Sequence, residues 1–190
     1  LSGSPNESIE LLKSALIYDP QAATIMQKLA VEFYKRGQMR DATYWAERAK
    51  EIAPNQRDIL LLTGGLYTTT KNYSKAEAIY SSLLKKDKTD TEAILYIGAV
   101  YTEMKNYKKA LQFFTKLKTL PQYTSKHLAY YYSARVLLEQ NHKDAMTLAQ
   151  VELKKSIELK HDFFESVSLL GQIIQKKQSP EKAFQFYISH

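Results

Sequence analysis

The strongest constraint on this chain is an internal repeat. Residues 57–90 and 91–124 share one amino-acid pattern, and the tripeptide Lys-Asn-Tyr at 71–73 recurs at 105–107. The offset is 34 residues, the difference between positions 71 and 105. A period of this length is typical of arrays of helical pairs, in which each unit buries its apolar face against its neighbours. The repeat therefore predicts an all-α fold.

Small and apolar residues recur at fixed positions within each unit. Position 8 is Gly64 in one unit and Gly98 in the next, and position 11 is Tyr67 and then Tyr101. The same pattern can be followed back into residues 23–56, where it consists of Met26, Leu29, Ala30, Phe33, Gly37, Ala42, Ala46, Ala49 and Pro54. This pattern resembles the tetratricopeptide repeat (TPR), a helix-turn-helix unit. The resemblance covers nearly the whole chain and implies an all-α, right-handed α-solenoid of tandem helix-turn-helix repeats.

The repeat register divides residues 1–190 into a single array. Its parts are a half repeat at 1–22, repeats at 23–56, 57–90, 91–124 and 125–163, and a clipped repeat at 164–190. The fourth full unit has three extra residues, which we place near 140–146. We expect helices at 5–18, 23–36, 39–52, 57–70, 73–86, 91–104, 107–119, 125–139, 144–160, 163–177 and 180–189. Ser4 and Ser179 each precede a proline and are expected to cap the helix that follows.

Position 8 is always small, which predicts that a second helix crosses the first one closely there. The residues at this position are Ala30, Gly64, Gly98, Ala134 and Gly171. A glycine inside a helix costs about 0.8–1.0 kcal/mol relative to alanine. Three such glycines therefore indicate that close packing compensates for this cost.

Composition narrows the possible functions. The chain has no cysteine, which excludes disulfides, thiol catalysis and thiolate metal sites. No apolar run approaches the roughly 18 residues that a membrane-spanning helix needs, and no signal peptide is visible. The net charge is +7, but the positive charge is scattered lysine with little arginine, which is a poor match to a nucleic-acid surface. Nucleic acid is therefore not the expected partner.

No catalytic or metal-binding constellation is present in the sequence. The four histidines, at 127, 142, 161 and 190, never stand three or four residues apart, so no helical metal pair exists. No serine lies in a nucleophile-elbow pattern. We therefore expect a non-catalytic protein without metal or cofactor.

The TPR resemblance implies a concave groove lined by the first helix of each repeat. Positions 2, 5, 9, 12 and 13 of these helices lie roughly 130° from the core stripe, from about 100° per residue. The expected groove residues are Gln27, Val31, Tyr34, Asp58, Leu61, Gly65, Thr68, Glu92, Leu95, Ala99, Thr102, Leu128, Tyr131 and Arg135. Family members that hold acidic C-terminal peptides need Lys and Asn here, and those residues are absent. Apolar residues with acids at the rim predict instead an apolar segment of a partner protein. The alternative is that these residues only pack helix against helix.

Two functional hypotheses follow. The first is a scaffold that binds a peptide or helical segment of another protein in its groove. The second is a regulatory or substrate-recruiting TPR region of a larger enzyme or assembly complex. The apolar faces of the first and last helices also predict either further helices in the native protein or end-to-end self-association. Leu12, Ala15 and Leu16 at one end and Phe184 and Ile188 at the other are expected to lack packing partners.

Overall fold

The chain is built from α-helices throughout the described part. The computed structural model describes residues 5–140 and 143–188, which form eleven α-helices and no β-strand. The helices are α1 (Pro5–Tyr18), α2 (Ala23–Lys35), α3 (Met39–Ile52), α4 (Arg57–Thr69), α5 (Tyr73–Lys86), α6 (Thr91–Glu103), α7 (Tyr107–Thr119), α8 (Lys126–Glu139), α9 (Ala145–Leu159), α10 (Phe164–Lys177) and α11 (Pro180–Ile188). Their described ends lie within one residue of the predicted ends, so the all-α repeat prediction is confirmed.

One helix start and one turn follow the sequence interpretation. The Ser179 hydroxyl accepts a hydrogen bond from the backbone N–H of Lys182 at 3.3 Å, which confirms that it caps α11. The expected cap Ser4 lies outside the described residues, as does residue 189. The connection between α8 and α9 occupies 140–144 and is longer than the turns at 70–72 and 104–106. Its residues Asn141 and His142 also lie outside the described part.

Successive helices pair as first and second helix of a repeat. The pairs α2–α3, α4–α5, α8–α9 and α10–α11 are in contact. The chain forms two compact units, residues 1–93 and residues 94–190. Each is held together by its own apolar core. The core of the first unit is built around Leu29, Ala30, Phe33, Ala46 and Leu66, and that of the second around Ala134, Leu153, Ile157, Val167 and Leu170.

The small residue at position 8 faces a large side chain of the paired helix. A Cβ atom placed on Gly64 would lie 2.7 Å from Cζ of Tyr80, and one placed on Gly98 would lie 2.7 Å from Cε1 of Phe114. In the last repeat the corresponding distance is 2.1 Å to Cζ of Tyr187. These separations are shorter than van der Waals contact. The predicted close crossing is therefore confirmed, and the reason for glycine is the aromatic ring sixteen residues later.

The turns inside the first three full repeats share one backbone conformation. Gly37, Lys71 and Lys105 have φ angles of 72°, 61° and 57°, in the left-handed region. In each turn, the residue after the left-handed one donates a backbone hydrogen bond to the carbonyl of the residue at position 11. The bond from Asn72 to Tyr67, at 2.7 Å, is an example. This is a Schellman motif, which ends a helix by satisfying its last carbonyl groups. A left-handed conformation is costly for any residue with a Cβ atom.

The packing of the first helix differs from the expectation. Leu12 and Leu16, which we expected to lack partners, pack against the α2–α3 core because α2 covers that face of α1. The exposed apolar residues of α1 are instead Leu11, Ile17 and Tyr18, at 70%, 78% and 91% exposure. At the other end the expectation is correct, since α11 exposes Phe184 and Ile188.

The crossing at Gly98 makes a direct prediction. Gly98→Leu forces a side chain into the space that the Phe114 ring occupies, and overpacking of this kind costs typically about 1–3 kcal/mol. We expect thermal unfolding followed by circular dichroism to show a lower Tm by several degrees.

Gly65→Ala is the matched control for this change. It lies one residue beyond Gly64, and a Cβ there would meet only the Tyr80 hydroxyl oxygen at 3.9 Å. Because space is available, the gain in helix propensity, about 0.8–1.0 kcal/mol, should raise the Tm. If Gly98→Leu and Gly65→Ala changed the Tm by the same amount, the result would contradict the repeat register.

Candidate partner-binding surface

The first-helix surface of the first unit combines apolar and polar side chains. On α2, Gln27 and Val31 are half-buried and Tyr34 is exposed. On α4, Asp58 is exposed, while Leu61 is half-buried. Its neighbour Leu62 is also half-buried and packs against the core of α2 and α3. The α4 surface thus offers an apolar side chain that the core does not use fully.

Small residues leave space beside Leu61. Gly65 follows it by one helical turn, and a Cβ placed there would have nothing but the Tyr80 hydroxyl within 4 Å. Thr68, another turn along, is half-buried, and its hydroxyl donates to the carbonyl of Gly64 at 2.9 Å. Because that hydroxyl is satisfied within the helix, Thr68 presents mainly its methyl group at this surface.

A charged network lies at the start of α4. The Arg57 guanidinium donates to both carboxylate oxygens of Asp90, each at 2.8 Å, and to Glu92 at 2.6 Å. Asp90 is 8% exposed and also accepts from the backbone N–H of Ala93, so it caps α6. Arg57 holds the pKa of Asp90 below its ordinary value of 3.8 despite burial, and the two carboxylates raise the pKa of Arg57. The predicted rim acid Glu92 is therefore already paired.

The first-helix surface of the second unit begins on α6. Leu95 and Ala99 are half-buried there, at the positions that Leu61 and Gly65 hold in α4. Thr102 is only 8% exposed, and its hydroxyl donates to the carbonyl of Gly98 at 3.0 Å. Leu95 and Ala99 are thus the accessible apolar residues of the predicted set on this helix.

Two of the three predicted residues on α8, Tyr131 and Arg135, belong to an aromatic cluster. Leu128 is half-buried and Arg135 is exposed. The Tyr131 ring meets the Phe163 ring edge-on at 5.4 Å between centroids, and the Arg135 guanidinium lies 6.0 Å from the Tyr131 centroid. Tyr131 is therefore held in place from two sides by residues of its own chain and keeps only part of its surface available.

Sequence reasoning missed three tyrosines beside this cluster. Tyr96 and Tyr132 occupy position 6 of their helices, next to the predicted position 5, and Tyr96 is 40% exposed. Tyr123 is 8% exposed, and its buried hydroxyl has no hydrogen-bond partner among the described residues. Burial, with smaller effects from Tyr132 and Tyr96, raises the pKa of Tyr123 to about 12. For Tyr96 and Tyr132, the signal available in the sequence was the recurrence of tyrosine at position 6.

The second helices of the first unit carry charges that are engaged with one another. The Tyr67 hydroxyl donates to Glu47, and this hydrogen bond, ahead of Lys75, lowers the pKa of Glu47. Burial, followed by the bond to Glu47, raises the pKa of Tyr67. Lys75 lies 5.0 Å above the Tyr67 ring and 3.4 Å from Glu47. This cluster stabilises the packing of α3, α4 and α5.

Two kinds of site are absent from the part of the chain that the structure describes. No group of three His, Asp or Glu side chains there is arranged to hold a metal ion, and His142 and His190 lie outside it. None of the described helices has the length and apolar character required to cross a membrane.

Comparison with known proteins identifies the fold. No family model matches the chain, and no curated protein matches it. Among solved structures, PilW, described as a widely conserved type IV pilus biogenesis factor, matches with a TM-score of 0.74 at 20% identity, over 88% of this chain and 75% of its own. TTC0263, a thermophilic TPR protein of Thermus thermophilus, matches with a TM-score of 0.71 at 15% identity, over 88% of this chain and 89% of its own. MamA from Desulfovibrio magneticus RS-1 matches with a TM-score of 0.68 at 17% identity, over 88% of this chain and 92% of its own.

The fold class is therefore an all-α helical-repeat array of the α-solenoid type. Within that class the repeats have the TPR fold, as the sequence resemblance implied. At these levels of identity the likeness extends to the fold alone.

The Arg57–Asp90 pair predicts a pH-dependent stability. Asp90→Asn keeps an oxygen that can cap α6 but removes the charge, so at pH 7 we expect the free energy of unfolding to fall by about 1–3 kcal/mol. Because the pKa of Asp90 is lowered in the folded state, its contribution is present above 3.8 and is lost as the pH falls below that value. Urea unfolding at pH 7 and at low pH measures the difference between wild type and variant, which should shrink in acid.

Asp58→Asn is the control, since it makes the same chemical change at an exposed carboxylate 3.8 Å from the same guanidinium. An exposed pair of this kind contributes little. A difference for Asp90→Asn that is as large in acid as at pH 7 would rule out the ion pair as its cause.

Proposed function

We propose that this chain is a non-catalytic scaffold that binds a peptide or helical segment of a partner protein on its first-helix surfaces. The observation that supports the proposal is the partial exposure of apolar side chains at predicted groove positions of the first helices. Val31, Leu61, Leu95 and Leu128 all lie on first helices and remain half-buried rather than buried. Side chains of this kind are typical of surfaces that receive an amphipathic helix or an extended segment.

The chemistry of these surfaces favours an apolar ligand over a charged one. Among the rim charges, Glu92 is paired with Arg57 at 2.6 Å, and Arg135 lies near the Tyr131 ring. Lysine and asparagine do not converge at these positions, so a terminal carboxylate would find no matching donors. Apolar contact is the interaction that the surfaces offer.

Leu61 and Leu95 are the expected anchors. Both lie mid-helix, where the backbone holds them rigidly, and each has a small residue one turn later, Gly65 and Ala99. The space beside each leucine can receive a ligand side chain. Truncating an anchor of this kind typically costs about 2 kcal/mol, or roughly thirtyfold in affinity.

The test begins with a partner recovered by pull-down and mass spectrometry, followed by titration calorimetry. Leu61→Ala/Leu95→Ala should weaken binding by roughly thirtyfold or more. Lys85→Ala/Lys86→Ala is the control, because exposed charges on a second helix mainly affect the association rate. Circular dichroism must first show that the leucine variant is folded. Normal binding by the folded leucine variant, together with loss in the lysine variant, would place the site on the second helices instead.

End-to-end association of two copies is a second part of the proposal. The exposed apolar residues Leu11 on α1 and Phe184 on α11, 70% and 64% exposed, support it. Sedimentation velocity should show a mass that increases with concentration, and Leu11→Lys or Phe184→Lys should restore the monomer. Tyr44→Lys, which changes a half-exposed residue of α3, should leave association unchanged. A monomer at every concentration would exclude this association.

A further inference from the structure

A recess of about 440 Å³ opens between α9, α10 and α11 in the second unit. Its floor is apolar and consists of Ile157, Leu170, Ile174 and Phe186. Ile157 and Leu170 are 5% and 2% exposed, so they are fixed parts of the core. The volume falls within the range of about 300–1,000 Å³ that is usual for ligand sites. None of these residues belongs to the first-helix surfaces of the proposed function.

A second recess, between α3 and α5 in the first unit, has a different lining. It has a similar volume, about 420 Å³, but its lining includes Glu47, Lys50, Tyr67 and Lys75. These side chains make hydrogen bonds and cation–π contacts with one another. The polar groups of that recess are therefore already satisfied without a ligand. Tyr67 occupies position 11 of its repeat, and the last repeat has Ile174 at the same position. Isoleucine brings neither a hydroxyl nor a ring, so this position adds no polar atom to the floor.

The rim of the recess offers one positive charge that is not paired within the described residues. It is formed by Lys154, Glu158 and His161, all of them exposed. The Glu158 carboxylate already accepts a hydrogen bond from Lys155 at 2.7 Å. The Lys154 ammonium has no ion pair or hydrogen bond within the described residues, so its charge is available to a ligand. An acidic group would complement this rim, whereas a basic group would be repelled.

We propose that the recess between α9, α10 and α11 binds a large apolar side chain that is flanked by acidic residues on a segment of a partner protein. The apolar side chain enters the floor formed by Ile157, Leu170 and Ile174, and the acidic residues lie at Lys154. The recess opens to solvent between the helices, so a side chain can enter while its backbone stays outside. Binding here is independent of binding on the first-helix surfaces.

The probe is the blocked peptide Glu-Asp-Trp-Leu-Asp-Glu, with two counterparts. One counterpart has Ala in place of Trp and Leu, and the other has Lys in place of every acid. Methyl ¹H–¹³C NMR spectra of the protein follow the titration. We expect the first peptide to shift the signals of Ile157, Leu170 and Ile174, with a Kd on the order of 1 mM or tighter. Each counterpart should bind at least about tenfold more weakly, a loss of about 1.4 kcal/mol.

Ile174→Tyr provides a variant that fills the recess. Tyrosine is accommodated at the same position in the repeat at 57–90, so the variant should fold with a Tm no lower than wild type. It should reduce peptide binding by about tenfold or more. Lys154→Glu changes only the surface and should reverse the preference between the acidic and lysine peptides. This second variant decides the question if Ile174→Tyr fails to fold.

Several outcomes would overturn the proposal. These are no binding by wild type, equal binding of all three peptides, or unchanged binding by both variants. Dimers of wild type that Ile174→Tyr dissociates would assign the recess to a second copy of the chain instead. Leu61→Ala/Leu95→Ala should bind the peptide as wild type does, which separates this site from the proposed first-helix function.

Discussion

The structure depends on the contact between a small residue on the first helix of a repeat and a large one on the second. Gly98 against Phe114 and Gly64 against Tyr80 bring two helix backbones close enough for a whole aromatic ring to be buried between them. The burial of that ring offsets the backbone cost of the glycine. In the repeat at 23–56 the corresponding positions are held by Ala30 and Ala46, which belong to one core cluster and have no exposed surface. A smaller pair satisfies the same geometry there.

This contact explains why the helices could be predicted so closely from sequence. The repeat fixes the register, and the register fixes which residue is buried, where each helix ends and which helix follows. The side-chain networks could not be predicted in the same way. Arg57 meets Asp90 and Glu92 across 33 and 35 residues, and no periodic pattern identifies a carboxylate as the partner of a particular guanidinium. The packing of Leu12 on α2 was missed because the half repeat was considered without its neighbour.

The candidate surfaces were predictable in part for a related reason. Position in the repeat selects residues such as Leu61 and Leu95, which are neither buried nor fully exposed. It does not reveal what a side chain contacts. Tyr131 is packed against Phe163, and Thr102 is buried, although both hold groove positions. Exposure and contacts depend on residues from other repeats, and these vary while the positional pattern stays constant.

The turns of the repeats have a further consequence. Lysine holds the left-handed position at 71 and 105, where the first full repeat has Gly37. The strain of that conformation must be supported by the rest of the hairpin, and it is released whenever the turn opens. Local opening should therefore be easier in these two hairpins. In hydrogen exchange, the amides of Asn72 and Asn106 should exchange with solvent faster than that of Gln38, although all three make the same bond. The tips of the second and third hairpins are thus the places where the array can loosen while its core remains intact.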